Sequence, residues 1–389
     1  MVDSMKATGK ENLSKLRNFM EKRNIDAILF ANSDPLFDIN IRYFSGFVQE
    51  PGTYSCRLLI TQEERTLFVP PIEFGRAKEQ ADVESVVDIK KFDYSYSKAV
   101  SKKLKGCKKI GIVKSKFPLK FYEELKRRAK IKFVDVENFL FSLRAVKLKK
   151  EIWLIKKSTK IANSGIKIVE DVLSEVAKGK KISERELASK LEEELTKKGS
   201  GTYGAEDPLA FKTIVATGKR SSFPHPYPFA SNQIIKKGVG LIDFGAVYQG
   251  YCSDMTIPFV IGRISEKQAR IVKLTEQAYE LAVTSVEIDM PTWQLNEKVN
   301  NFLKTKGLEL KHGLGHGLGL TVHDAPFISA KPKDKLQLKN WEETKFRENM
   351  VFTIEPGLYL KNFGCRLEND ILLTRKGPKI LTRARVLEI

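Results

Sequence analysis

The stretch Lys311-His-Gly-Leu-Gly-His-Gly-Leu-Gly-Leu-Thr-Val-His-Asp-Ala-Pro326 contains three of the chain's four histidines, His312, His316 and His323. Histidines four residues apart suit a helix that presents both rings on one face, as in the H-E-x-x-H pattern of zinc proteases. Here the glutamate is missing, and Gly313, Gly315, Gly317 and Gly319 would each cost a helix roughly 1 kcal/mol relative to alanine. An extended segment fits better. Residues 312, 314, 316, 318 and 320 then share one face, and glycines fill the other. His312 and His316 point together, while the glycine side admits a second backbone or a ligand. A glycine-rich loop with incidental histidines is the plainer alternative, and the concentration of the chain's few histidines argues against it.

Partners for these imidazoles lie on either side. An apolar strand runs from Gly238 into Asp243, turns, and returns through Asp254. The two aspartates are equidistant from the midpoint between Tyr248 and Gln249, so a hairpin turning there sets them face to face, Cβ atoms ~5 Å apart. Glu355 and Glu368 repeat the construction about the midpoint between Lys361 and Asn362. Like charges opposed on a sheet destabilise it, and the flanking apolar runs imply burial, which worsens the repulsion. A cation removes the conflict. Four carboxylates and one imidazole suit one or two divalent ions such as manganese, iron, cobalt or zinc. Two ions ~3.5–4 Å apart would make a hydrolytic centre. Salt bridges to nearby lysines are the alternative; two symmetric pairs beside a histidine cluster weigh against it. The fourth histidine, His225, lies in Ser222-Phe-Pro-His-Pro-Tyr-Pro228, where three prolines stiffen a loop able to hold it over a cleft.

The surrounding chain has room for two domains, at 389 residues. Residues 1–145 alternate helical and strand signals: a stripe at Leu13, Leu16, Phe19 and Met20, a strand over 25–31, and apolar runs at 57–61, 66–70, 109–113 and 131–136. Helical patterns at 74–80 and 119–130 separate some of them. This predicts an α/β domain, a mixed sheet with helices on both faces, and it contains neither G-x-G-x-x-G nor a P-loop. Arg144 to Lys150 reads as the boundary, so the second domain spans 146–389. A long helix runs from Ile152 to the break at Gly179, and a second from Ser183 to Lys198, where S-E-R-E forms a capping box. Helices at 266–286 and 292–306 follow. Strand signals fall at 211–216, 239–244, 251–261, 350–354 and 366–374. Helix pair then strands, twice over, suggests two related halves enclosing one site.

Composition narrows the class. Hydrophobic residues at 42% and charged residues at 30% read as soluble and globular. The N-terminus lacks the apolar run of a signal peptide, and no stretch approaches a membrane span. Four scattered cysteines without C-x-x-C spacing indicate neither a disulfide framework nor a zinc finger, which fits a reducing cytoplasm. The formal net charge of +20, from 68 Lys plus Arg against 48 Asp plus Glu, raises nucleic-acid binding. The lysines nevertheless fall in short runs beside apolar helical stripes, the pattern of a solvated face, so no specific nucleic-acid partner is expected.

With these motifs assembled, the chain resembles the pita-bread metallopeptidases, in their Xaa-Pro aminopeptidase and prolidase branch. LIDFGAVYQGYCSDMT, HGLGHGLGLTVHD, FTIEPGLY and GCRLENDILLT carry the likeness, together with LRAVKLKKEI and the N-terminal α/β region. The resemblance implies a creatinase-like α/β domain followed by an α+β pita-bread metallopeptidase domain. It implies Asp243, Asp254, His316, Glu355 and Glu368 as ligands of two divalent ions per chain, manganese foremost, with cobalt, zinc or iron as alternatives. It further implies His225 and His323 acting at the scissile bond beside Glu355, and His312, Tyr359 and Arg366 lining or buttressing the site. The activity implied is hydrolysis between an N-terminal residue and proline by a hydroxide bridging a dinuclear centre, in a homodimer that takes peptides with proline second. Ile257-Pro258, Asn369 and Pro226 depart from the usual motifs. A methionine aminopeptidase is the alternative enzyme, opposed by the N-terminal domain. A non-catalytic pita-bread binding module and creatine hydrolysis are opposed by the complete ligand set.

Overall fold

A computed structural model describes residues 8–32, 38–48, 55–201 and 208–389. The reading of the first seven residues lies outside the described residues. The chain forms two compact units, Met1–Leu143 and Arg144–Ile389.

In the first unit six strands form one mixed sheet, in the order Ser85–Asp88, Arg65–Val69, Arg57–Ile60, Ala27–Ala31, Lys109–Ile112, Lys132–Asp135. The central strand pairs antiparallel with Arg57–Ile60 and parallel with Lys109–Ile112. Its residues are buried on both faces, which is why Ala27–Ala31 reads as a continuous apolar run rather than an alternation. Ala27, Leu29 and Ala31 pack with Val100, Leu104, Phe121 and Leu125 of two helices on one side. On the other, Phe30 stacks on Phe44 of the helix Ile39–Ser45. That helix and the strand Ser85–Asp88 escape the sequence reading, being too short for a clear period.

The second unit repeats one plan. The helices Lys149–Ala177 and Glu184–Lys197 precede a four-stranded sheet, ordered Leu387–Glu388, Met255–Ile261, Gly238–Phe244, Ile214–Thr217. The helices Glu266–Ser285 and Thr292–Lys304 precede a five-stranded one, ordered Asp324–Ile328, Gly315–Gly317, Val351–Ile354, Asn369–Thr374, Gly377–Ile380. Local chemistry sets the helix ends. Ser183 caps Glu184–Lys197 through a capping box with Glu186, and Gly179, at φ 98°, ends the preceding helix region. Apolar faces of the first helix pair bury Val169, Leu173, Leu187 and Leu191 against Ile242, Phe244, Ile257 and Phe259 of the sheet. An isolated bridge, Thr256 to Glu368, joins the two sheets. No helix among the described residues is long and apolar enough to cross a membrane.

The histidine stretch is extended where it matters: His316 lies on the strand Gly315–Gly317, between Asp324–Ile328 and Val351–Ile354. Its glycines are required by close approach of backbone. A Cβ on Gly315 would stand 2.1 Å from the Thr353 carbonyl oxygen, and one on Gly317 2.0 Å from that of Ala325.

Candidate metal centre

Each carboxylate sits where a strand ends or breaks. Asp243 is the penultimate residue of Gly238–Phe244; Asp254 falls in the gap between Tyr251–Cys252 and Met255–Ile261. Glu355 lies between Val351–Ile354 and Gly357–Tyr359, and Glu368 between Gly364–Arg366 and Asn369–Thr374. The register Ile354 to Asn369 and Gly357 to Arg366 sets Glu355 opposite Glu368, as the sequence symmetry predicts. The aspartates differ from expectation. Asp243 is opposite Thr256, not Asp254, because the hairpin turns at Gln249-Gly250, both at positive φ (50° and 82°), one residue later than the symmetric count. The aspartates are therefore diagonal neighbours across the strand pair.

One cavity of about 690 Å³ collects Asp243, Asp254, His225, His312, His316, His323, Glu355, Arg366 and Glu368 in its lining. Ligand atoms of Asp254, His316 and Glu368 lie within 4.8 Å of one another. His316 Nε2 stands 3.7 Å from Asp254 Oδ2 and 3.5 Å from Glu355 Oε1. His316 Nδ1 is 3.2 Å from the Gly317 carbonyl oxygen, which can only accept, so Nδ1 carries the proton and Nε2 offers its lone pair to the carboxylates. The Thr353 hydroxyl accepts from the His316 amide at 3.1 Å and fixes the strand beneath it. Burial and the neighbouring His323 push His316 down to about 3, and burial and Arg366 push His312 down to about 4, so both rings are neutral at physiological pH.

Arg366, fully buried, ties the second layer together. Its guanidinium bonds to Asp243 Oδ2, to the Thr256 hydroxyl at 2.9 Å, to the Pro224 carbonyl at 3.2 Å and to the Tyr359 hydroxyl at 2.7 Å. Tyr359 in turn lies 3.0 Å from His312 Nε2; His312 Nδ1 donates to the Gly313 carbonyl, so Nε2 accepts from the tyrosine. Tyr359 thus touches the site through Arg366 and His312 rather than facing the cavity. His323 is exposed, its ring 4.3 Å from that of His316 in a T-shaped contact. Asp324 beside it is held by two hydrogen bonds from Arg144, at 3.1 and 2.9 Å.

His225 projects from its proline loop exposed, and the loop is anchored from below by a residue the sequence reading missed. Glu184, with no exposed surface, accepts from the Thr217 amide and hydroxyl at 2.9 Å each, from Arg220 Nε at 2.8 Å, and from the Ser231 amide and hydroxyl at 3.1 and 2.5 Å. One carboxylate thereby pins both ends of the segment carrying His225. Asp370 was also missed: buried, it accepts from the Asp254 amide at 3.1 Å. Neither has a local motif; their partners are distant in sequence.

The donor set fits divalent cations. Asp243 Oδ1 and Asp254 Oδ1 are buried without a hydrogen-bond partner, an arrangement costly unless something positive meets them. Burial, then Glu368, Asp243, Asp370 and Glu355, push the Asp254 carboxyl well above its usual range; burial and Glu368 do the same to Glu355. Burial and Asp243 push Glu368 up to about 8. Carboxylates so crowded around a neutral imidazole await a cation of the oxygen-preferring kind.

A fold of this plan with such a site defines a metallopeptidase, and the chain belongs to metallopeptidase family M24, whose model matches residues 154–375; a creatinase/prolidase N-terminal domain matches residues 12–146. The fold class is accordingly a creatinase-like α/β domain followed by a pita-bread domain. The Xaa-Pro dipeptidase of Pyrococcus horikoshii is 39% identical over 378 residues, 96% of this chain and 97% of that protein. Among solved structures, the prolidase from Pyrococcus horikoshii OT3 has a TM-score of 0.81 at 35% identity, covering 97% of this chain and 99% of its own. The X-Pro aminopeptidase from Thermotoga maritima has a TM-score of 0.80 at 29% identity, covering 97% and 99%.

Proposed function

We propose that the chain hydrolyses the bond between an N-terminal residue and proline, with Asp243, Asp254, His316, Glu355 and Glu368 holding two divalent ions, manganese foremost. The observation that carries this is the pair of buried, partnerless aspartate oxygens within a ring of carboxylates closed by His316. Bound divalent ions supply Lewis acidity, which lowers the pKa of water and polarises a carbonyl.

The chain's own groups provide the remainder. Arg366 fixes Asp243 and, through Tyr359, sets the His312 tautomer. Glu355, with Oε1 3.5 Å from His316 and Oε2 3.8 Å from His312, is placed to carry a proton to the leaving nitrogen. His225 and His323, exposed in the same cavity, donate hydrogen bonds to the oxygen on which charge develops. Phe211, Ile214, Phe229, Val322 and Phe327 give the cavity an apolar wall suited to the proline ring. The similarity to proteins named Xaa-Pro dipeptidase and X-Pro aminopeptidase supports the same bond.

The test is hydrolysis of Met-Pro, Met-Pro-amide and Met-Ala after loading with manganese, alongside metal analysis. Cleavage of the proline substrates in preference to Met-Ala is the expected result. Preference for Met-Ala and other non-proline peptides would replace this reading with a methionine aminopeptidase.

A further inference from the structure

The relatives include both dipeptidases and an aminopeptidase, so the length of substrate is not decided by likeness. The cavity contains a cue. Its carboxylates are committed to metal in the reading above, and its buried cation, Arg366, is engaged with Asp243 and Tyr359. Lys212 also lines the cavity. It is exposed and forms no ion pair among the described residues.

Its position follows from register. Ile214 pairs directly with Asp243, and Lys212 lies two residues before it on the approach to the same strand. Two residues span at most ~7 Å, so the Lys212 backbone lies within that distance of the residue facing Asp243. The flexible four-carbon stem carries its ammonium from there. In an Xaa-Pro dipeptide the terminal carboxylate carbon is two bonds from the scissile nitrogen, ~2.5 Å away. In a longer peptide that carbon belongs to a neutral amide. Between Phe211 and Ile214, which form part of the apolar wall, Lys212 is the group able to tell the two apart.

We infer that Lys212 pairs with the free α-carboxylate of proline and biases the site toward dipeptides. The inference rests on the proline-directed reading above and adds a specificity-determining residue to it. A neutral side chain at 212 removes that attraction from the free acid and leaves nothing to remove from the amide.

The experiment compares kcat/KM for Met-Pro and Met-Pro-amide in the metal-loaded wild type, Lys212→Met, Lys212→Glu and Lys212→Arg. L-proline and L-prolinamide are titrated calorimetrically into the same proteins. In the wild type the acid is preferred. In Lys212→Met the acid-to-amide ratio falls at least fivefold, mostly through KM, and L-proline affinity falls with it. Lys212→Glu lowers both further, and Lys212→Arg restores them. An acid-to-amide ratio unchanged between wild type and Lys212→Met overturns the role of Lys212 while leaving the proline-directed activity standing. Wild-type failure on both proline substrates, with Met-Ala cleaved, overturns the two together and is distinguished by that pattern. Position 212 is exposed, so equal melting temperatures across the four proteins check that folding is intact.

Discussion

At the scale of single residues, the histidines divide by what their ring nitrogens face. His316 directs a lone pair at Asp254 and Glu355, its other nitrogen bound to backbone. His316→Ala should therefore lower metal content and activity together, with partial recovery in excess manganese. His225 and His323 face open cavity. Alanine at either should retain near-normal metal while turnover drops ~10²-fold, the scale for a lost oxyanion donor. A metal-free His323→Ala that recovers with manganese would move His323 into the coordination sphere.

The crowded acids make a second prediction, about the metal-free protein. Glu368 is pushed up to about 8 by burial and Asp243, and Asp254, Glu355 and Asp370 are raised as well. A group with a raised folded pKa binds its proton more tightly folded than unfolded. Its stabilisation is present at low pH and is lost as pH rises through the folded value. His312 and His316 act oppositely, their stabilisation being lost only as pH falls below ~6.5. Between pH 6.5 and 8 the stabilisation from Glu368 falls away, whereas that from His312 and His316 is already largely in place. Chelator-treated protein should thus melt lower at pH 8 than at pH 6.5, and added manganese should raise the melting temperature more at pH 8. A metal-induced rise that is equal at both pH values would contradict this account of the site.

At the scale of elements, the site is built from interruptions. Asp254, Glu355 and Glu368 fall between strand pieces, and around Asp254 and Glu368 sequence periodicity joins those pieces into single strands over 251–261 and 366–374. The acids were still legible, because apolar runs around isolated carboxylates mark them. The glutamate register was legible too, since the pairs Ile354–Asn369 and Gly357–Arg366 to Tyr359–Gly364 keep one register on both sides of the break that carries Glu355 and Glu368. The aspartate register was not: symmetry placed the turn at Tyr248-Gln249, whereas the positive φ values at Gln249 and Gly250 move it one residue on. Glu184 was invisible for another reason. Its five bonds reach residues 33 to 47 positions away, so nothing adjacent marks it. Its place beneath the His225 loop predicts that Glu184→Gln lowers kcat/KM about tenfold with metal content intact. In a His225→Ala background the same change should cost little more, since residues acting through one contact are not additive. Full additivity would reduce Glu184 to a packing role.

At the scale of the whole molecule, the remaining question is what the charge does. The chain carries +20, and its lysine runs lie on exposed faces: Lys156-Lys157 on the long helix, Lys178 to Lys181 after it, and the Lys331 and Lys335 region. Lys157 stacks on the exposed Trp153 at 5.1 Å, and Lys331 lies 5.6 and 5.1 Å from the rings of Trp293 and Trp341. Such cations shield apolar surface while keeping their heads in water. None of these runs lines the cavity that holds the carboxylates. A dispersed positive surface attracts any polyanion, but it reads no sequence, and its affinity comes from counterions released. Duplex and single-stranded DNA should therefore bind weakly at ~50 mM salt, without sequence preference, and lose most affinity by ~200 mM. Bound DNA should leave the hydrolysis of Met-Pro unchanged at ~50 mM salt, where the complex forms. Nanomolar, sequence-selective binding that persists at physiological salt would instead require a built nucleic-acid surface, and with it a second role for the fold.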